Sequence, residues 1–489
     1  MAVSRSEARP VQFFGSRGLK AEIVRALALT LLAFATVGAA GCTTYRPAPL
    51  SSAMIAQAQH STRIDPKSVR SELKRLAPDY QWDGVIWNEL TLLGAALTYN
   101  PDIAAARARL DAFDADVRAA RIMPGLTLSL TAEYAFNPTE SSPWLFGVAS
   151  DFIAANGGRR SRVRAAEIAR RGAEFDYLAV VWNVRMALRR AIDANLGAAL
   201  ESENSEALVN MRRRQFEAVR RQVDAGEASR LDLDLVRGDL AAALGQKTTA
   251  DANIAGAQID LAAALGVTPP SLDLRQLSQT ALDLQEDWSF AENDRLAALS
   301  ARPEILKTIA DYDQAENALR SAVAAQYPEV KIGPGYTWER GLSRIPFAFT
   351  LSFPTTDLNA AAIHAAEARR LEAGRALEAA IASVAASIDR ANADYGAAWA
   401  ALAVMRLQVT PAAQAIAAQA DREFQLGGID RAEWAASQAG LAAAKLSEAT
   451  AERAALDARS ALEDALRRPL AGPELKIGAP LTPFAGDDQ

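Results

Sequence analysis

Two stretches of this chain are nearly free of proline over lengths that compact domains do not use for a single helix. Residues 158–225 contain no proline, and residues 359–425 contain one. At ~1.5 Å per residue, the first stretch would form a helix ~100 Å long, whereas globular helices average ~11–12 residues. Frequent alanine favours many helices packed closely side by side over a dimeric coiled coil. One apolar stripe has the spacing of a helix face, namely Tyr177, Val181, Val184, Leu188, Ile192, Leu196 and Leu200.

The two stretches belong to an internal duplication with an offset close to 200 residues. Each half is predicted to run helix, strand, strand, long helix, helix. The matching features are Asn100–Ile103 with Arg302–Ile305, Tyr134 with Tyr336, Glu167 with Glu367, and Gly226 with Gly427. We therefore predict a first repeat at 91–269, a linker at 270–300, a second repeat at 301–470 and a C-terminal tail at 471–489.

Four segments alternate apolar and polar residues with the period of a β-strand. They lie at about 126–136, 144–153, 330–338 and 347–353. A half-buried sheet in a soluble domain would have this pattern, but the strand lengths are close to the ~9–11 residues that cross a bilayer at a tilt. Aromatic residues gather at the hairpin ends, as an interfacial belt requires. The belt candidates are Tyr134, Phe136, Trp144, Tyr336, Trp338 and Phe347.

Four strands cannot close a membrane barrel, because the smallest spanning barrels have ~8. Open sheet edges are not tolerated in lipid, so several chains would have to share one barrel. Three chains would supply twelve strands. The predicted fold class is therefore α+β, with a membrane β-barrel completed by a trimer on a long α-helical barrel.

The N-terminus is typical of a processed export signal. Basic residues are followed by an apolar run at 26–38, the plan of a secretory signal peptide at 1–41. The small residues before Cys42 resemble a bacterial lipobox, and Cys42 is the only cysteine of the chain. We therefore predict a lipid on Cys42, followed by a surface tether at 42–90. An ordinary signal peptide with a chance cysteine is the alternative.

Composition argues against several other classes of function. The formal net charge of −6 does not suit a general nucleic-acid binder. The two histidines, His60 and His364, are too far apart in the chain to form a local metal site, and no hydrolase or phosphate-binding motif is present. We predict no enzyme activity, no metal site and no cofactor apart from the lipid.

Each long helix is predicted to end in a glycine-containing turn that leads into a shorter helix. Gly226 and Gly427 suit a left-handed helix end. Ser229 and Asp430 can then cap the next helix, with an acidic residue three positions later in both cases.

The repeated plan over residues 90–470 resembles the TolC family of outer-membrane efflux proteins. The run Asn156–Arg162 is similar to its metal-efflux branch, the CzcC and CusC type. The resemblance implies a homotrimeric, passive exit duct in the outer membrane with a periplasmic helical tunnel. It also implies a periplasmic adaptor and an inner-membrane pump of the resistance-nodulation-division type as partners.

The resemblance also suggests roles for the turns between long and short helices. Family members carry acidic rings at the periplasmic constriction, so the gate candidates here are Glu433, Asp430, Asp232 and Asp234. The candidates for contact with the adaptor are Gly226, Arg230, Gly427 and Arg431. An acid in a first helical turn also stabilises the helix dipole without any gating role.

The cargo is left open by the sequence. Heavy-metal cations fit the branch that the chain resembles, while drug efflux and type I protein secretion use the same architecture. A non-transport periplasmic spacer lipoprotein is the alternative from another class.

Overall fold

The structure is a computed structural model. It describes residues 45–123, 125, 127–136, 143–155, 158–271, 292–339, 342–353, 357–470 and 474. The predicted signal peptide, Cys42, and all of the predicted tail except Glu474 lie outside these ranges. In the part of the chain described, no helix combines the length and the apolar character needed to cross a membrane.

The chain divides into two units, residues 1–58 and 59–489. The described part of the first unit includes most of helix α1 (Ser52–Ser61), which has no buried residue. The second unit contains both repeats.

The first repeat has the predicted order of elements. Asn100 caps the first predicted helix of the repeat. Its side-chain oxygen accepts hydrogen bonds from the backbone N–H groups of Asp102 and Ile103, at 2.8 and 3.1 Å. This helix begins at Pro101 and ends at Arg121. A short helix, α2 (Pro66–Leu76), precedes the repeat. The elements that follow are α3 (Glu89–Tyr99), α4 (Pro101–Arg121), β1 (Thr127–Tyr134), β2 (Trp144–Ala155), α5 (Arg159–Asp224) and α6 (Arg230–Leu265).

The second repeat follows the same plan with shorter pieces. Its predicted last strand is β5 (Phe347–Ser352), and an additional short strand, β4 (Leu342–Arg344), precedes it. Both pair with the same edge of β3, on either side of Pro346, and so occupy one strand position in the sheet. The elements are α7 (Glu292–Ala301), α8 (Pro303–Ala324), β3 (Glu329–Glu339), β4 (Leu342–Arg344), β5 (Phe347–Ser352), α9 (Ala360–Val404), α10 (Thr410–Leu426) and α11 (Arg431–Leu466).

A short π-helical turn, Met405–Val409, joins α9 to α10. Proline lacks a backbone N–H, and its ring clashes with the carbonyl of the residue four positions earlier. Widening the helix just before Pro411 relieves that conflict. The long helix therefore continues through the proline instead of breaking there.

The strands form an antiparallel sheet with two unlike faces. The order is β1–β2–β3–β4, and β5 also pairs with β3. The register aligns Tyr134 with Trp144, and Phe146 with Trp338. Because side chains alternate between faces, most apolar and aromatic residues share one face and most polar residues and glycines share the other. Leu145 and Ile153 are exceptions, since they pair with Glu133 and Lys331.

The largest core lies where α3 meets α5 and α6. Its members include Leu92, Leu188 and Leu261, all nearly inaccessible to solvent. Val69 and Leu73 of α2 also belong to it. The prediction that 42–90 runs only over the surface was therefore wrong for its second half, because apolar residues spaced for a helix face were hidden in a segment rich in polar residues.

The two repeats pack together through the long helix α5, which lies against both α6 and α11. A small cluster shows how close the helices come: Ala243 and Ala439 are buried beside Leu208 and Val209. This agrees with the expectation that alanine allows close side-by-side packing.

Candidate functional site

The two turns at the ends of the long helices, here called the tip turns (225–229 and 427–430), have the same geometry. Gly226 and Gly427 are left-handed, with φ of 78° and 75°. In the first turn the N–H of Glu227 donates to the carbonyl of Gln222 at 2.7 Å, and in the second the N–H of Gly428 donates to Glu423 at 2.8 Å. Both bonds satisfy carbonyls at a helix end, as the sequence predicted.

Both short helices that follow the tip turns start with a capping box. The Ser229 hydroxyl accepts from the backbone N–H of Asp232 at 3.1 Å, and the Asp232 carboxylate accepts from the N–H of Ser229 at 3.0 Å. In the second repeat Asp430 accepts from the N–H of Glu433 at 2.8 Å, and Glu433 accepts from the N–H of Asp430 at 3.2 Å. The predicted caps are confirmed.

The structure brings the two tip turns together, although their sequences are about 200 residues apart. The side-chain amide of Gln222 donates to Asp430 Oδ2 at 2.7 Å. Below this bond, Val219 of α5 and Val236 of α6 are buried with Ala432 of α11. The acidic residues of both repeats therefore lie at one end of the helix bundle.

The four acidic candidates differ in how fully their oxygens are engaged. Both oxygens of Asp430 accept hydrogen bonds, while Asp234 forms an ion pair with Arg237 at 2.8 Å. Hydrogen bonds from the Ser229 side chain and backbone lower the pKa of Asp232. Glu433 is exposed, and its Oε1 has no partner among the described residues. Oδ1 of Asp232 and Oδ2 of Asp234 also have no partner among these residues. Three of the four candidates therefore keep a free oxygen for a passing ion, and their gating role stays a prediction.

Contacts with an adaptor at the tip turns also stay a prediction. Arg230 and Arg431 are exposed, and neither forms an ion pair or hydrogen bond with the described part of the chain. Nearby, the Trp434 ring stacks on Phe424 at 5.5 Å, and its Nε1 donates to Asp421 at 2.7 Å. These contacts, which the sequence patterns did not suggest, fix α11 against α10.

Four of the six aromatic candidates form, together with Phe146, a continuous row at the hairpin end of the sheet. The ring centroids are 4.9 Å apart for Tyr134 and Trp144, 5.5 Å for Trp144 and Phe146, and 6.2 Å for Phe146 and Trp338. Phe136 packs edge-on against Tyr134 at 5.4 Å. Tyr336 and Phe347 lie on the same face and are 39% and 77% exposed. The structure therefore places the six candidates on one accessible apolar face.

A buried charge network that the sequence analysis missed joins α5 to α11. Arg185 is 3% exposed and lies 3.0 Å from Glu463 and 2.5 Å from Glu474. Arg189 is 2.9 Å from Glu89 and 3.3 Å from Asp193. The sequence signal for this network is the four-residue spacing of Arg185, Arg189 and Asp193 beside the apolar stripe of α5. Next to that stripe, a solvated helix face is not expected.

Burial and ion pairing oppose each other in this network. Burial raises the pKa of Asp193 and of Glu474, although the neighbouring arginines act to lower both. For Arg185 burial acts to lower the pKa, but the two glutamates outweigh it and raise the pKa overall. The arginines therefore stay charged, and each depends on its buried carboxylates.

Taken together, two repeats with helices of up to 66 residues and a small sheet with one exposed apolar face define a class of protein. They are the parts of a membrane-associated channel subunit. The family model described as "Outer membrane efflux protein" matches residues 92–267 and 296–466, more than half of the chain. The chain belongs to the outer membrane efflux protein family, whose members are efflux channels of the outer membrane.

Solved structures have the same fold. The outer-membrane channel OprN is 19% identical, covers 87% of this chain and 98% of its own, and has a TM-score of 0.65. VceC from Vibrio cholerae is 18% identical over 77% of this chain and 95% of its own, with a TM-score of 0.62. CusC is 17% identical over 80% and 99%, with a TM-score of 0.61. A comparison with curated protein sequences found no match.

Proposed function

We propose that this protein is the outer-membrane component of a tripartite efflux system, a passive homotrimeric exit duct. The observation that carries the proposal is the sheet: β1 and β5 lie at its two edges and are exposed along their whole length. Leu130 and Phe347 are 74% and 77% exposed on these edge strands. An apolar face needs lipid or a partner, and unpaired edges in lipid need other strands. Three copies would satisfy both needs in a twelve-stranded barrel.

The helices supply the second half of the proposal. α5 has 66 residues and would extend ~100 Å at ~1.5 Å per residue. The long helices of three chains, packed side by side, would form a tunnel that leads away from the barrel through the periplasm. At its far end the tip turns would meet a periplasmic adaptor, which connects the duct to an inner-membrane pump of the resistance-nodulation-division type.

The proposed cargo is a heavy-metal cation. The support is the run Asn156–Arg162, which resembles the metal-efflux branch, together with the exposed acids Asp232, Asp234 and Glu433 at the tips. Threefold repetition turns each acid into a ring of negative charge, which favours cations. The selection of metal is assigned to the pump, because the proposed duct is passive.

Reconstitution tests the channel. The purified protein in a planar lipid bilayer should give discrete conductance steps, with cations passing more readily than anions. A protein that inserts without conductance would contradict the exit-duct proposal.

The cargo needs a separate test in cells. A deletion strain should become sensitive to zinc, cadmium or copper, and unchanged tolerance of all three with increased sensitivity to dyes would favour drug efflux instead. Complementation with the intact gene is the control.

A further inference from the structure

A basic cavity lies between the end of α4 and the start of α5, next to the sheet. It has a volume of about 1030 Å³ and is lined by seven arginines, against the acids Asp114 and Glu167. The chain as a whole is acidic, with a formal net charge of −6. The concentration of positive charge is therefore local, and it needs a counter-charge.

Four of these arginines are engaged within the chain. Arg121 pairs with Glu167 at 2.8 Å, Arg159 donates to the Arg121 carbonyl at 2.7 Å, and Arg170 pairs with Asp114 and Glu174. Arg171 lies 3.6 Å from Asp313. These pairs hold the wall of the cavity in place.

The other three arginines have no such partner. Arg118, Arg160 and Arg164 are exposed, and none forms a hydrogen bond or ion pair with any described residue. A guanidinium group can donate two parallel hydrogen bonds to two oxygens of one phosphate. Three unpaired guanidinium groups around one cavity suit a phosphate ester.

The position of the cavity indicates where that phosphate comes from. α4 ends at Arg121 and β1 begins at Thr127, so the cavity adjoins the end of the sheet opposite the aromatic row. Between them, Ile122 and Met123 are 69% and 74% exposed. Apolar side chains beside basic ones match the boundary between acyl chains and headgroups.

The second repeat offers an internal comparison, because it lacks this cluster. At the offset of 200 residues, Arg160 and Arg164 correspond to Ala360 and His364. The counterpart of Arg118 at an offset of 202 is Arg320, which is paired with Glu316 at 3.4 Å. The duplicated fold therefore does not require the three unpaired arginines.

We propose that this cavity binds the phosphate group of an anionic phospholipid from the membrane leaflet on the helical side. The inference rests on the proposed placement of the sheet in the membrane. Bound lipid would fix the height of the sheet in the bilayer. Arginine at such a boundary typically strengthens the attraction to anionic lipid about fivefold per residue.

Native mass spectrometry of the full-length protein, titrated in detergent with phosphatidylglycerol or phosphatidylcholine of equal chain length, tests the site. We expect preferential retention of phosphatidylglycerol. The triple variant R118Q/R160Q/R164Q should lose on the order of 100-fold of this preference. The control R213Q/R214Q/R220Q removes three exposed charges from α5, starting roughly 70 Å away along the helix, and should keep it.

Two results would overturn the proposal. One is an unchanged lipid preference in the triple variant. The other is binding of inorganic phosphate, in the absence of lipid, that matches phosphatidylglycerol in strength and in dependence on the three arginines, since the site would then serve a free anion. Conductance of the wild-type protein is measured separately, so a conducting channel without lipid preference would refute only the lipid site.

Discussion

Replacing Arg185 with methionine should destabilise the protein by about 4 kcal/mol. The side chain is 3% exposed, and its partners Glu463 and Glu474 are 0% and 3% exposed. Removing one partner of a buried ion pair costs ~3–5 kcal/mol, because the remaining charge is left in a poorly polarisable interior. The guanidinium also lies 4.7 Å from the centre of the Trp182 ring, a contact that methionine replaces only in part.

Arg190 provides a matched control on the same helix. It pairs with Asp464 of the same partner helix at 2.7 Å, but the two side chains are 53% and 31% exposed. Exposed pairs contribute ~0–1 kcal/mol, so Arg190→Met should cost less than about 1 kcal/mol. The triple variant R185M/E463Q/E474Q removes the uncompensated charges and should recover most of the loss.

The effect of Arg185→Met should depend on pH. Burial already raises the pKa of Glu474 above its ordinary 4.5, and Arg185 opposes that rise. Without Arg185, the Glu474 carboxyl group of the folded protein keeps its proton at a pH at which the same group of the unfolded chain has lost it. The variant should therefore lose stability as the pH rises through the folded-state pKa and recover part of it in acid.

Denaturation by guanidinium, followed by circular dichroism at 222 nm and at several pH values, measures these differences. The comparison uses the midpoint and slope for each variant under identical detergent conditions. If Arg185→Met and Arg190→Met lowered stability equally, or if the triple variant were no better than Arg185→Met alone, the account of the buried network would be refuted.

Three further predictions concern the tips, the anchor and a tight helix junction. Glu433→Gln keeps an acceptor for the N–H of Asp430, so stability should change by less than about 1 kcal/mol while the cation-over-anion permeability ratio falls in bilayer recordings. An unchanged ratio would exclude Glu433 as the charged constriction. Cys42→Ala should abolish labelling by radioactive palmitate, and persistent labelling would contradict lipidation at this residue. Gly266→Ala should cost at least about 1–2 kcal/mol in the denaturation assay, because φ is +77° and a Cβ would lie 2.6 Å from Pro101 Cδ; a neutral result would contradict the tight packing of this junction.

The helices and strands were predictable because their signals are local. The proline-free stretch and the glycine at its end indicated the limits of α5, and alternation indicated the limits of β1 and β2. The capping boxes at Ser229 and Asp430 were also predictable, since a cap depends on residues three positions apart. The π-helical turn before Pro411 was not, because proline alone does not reveal whether a helix breaks or widens.

The misses have a common physical cause. Val69 and Leu73 were assigned to a tether because their neighbours are polar, and only the contact with α3 shows that they are core. Arg185 was not singled out in the sequence, because its partner Glu463 is 278 residues away. The four-residue spacing of charges on α5 is a local pattern, but the partners on other helices are far away along the chain and are identified only in the folded structure.

Disulfide cross-linking between chains is the most direct test of a shared sheet. Ser129 of β1 and Thr350 of β5 lie on opposite edges of the sheet. Both are replaced by cysteine in the same chain. Two further variants place the second cysteine at Ala348 or Ser352 instead, to cover other registers between neighbouring chains. Oxidation in outer membranes should give covalent dimers and trimers for at least one pair, whereas each single cysteine should not give trimers. Thiols that react with a maleimide but yield only monomers for every pair would contradict the trimeric barrel.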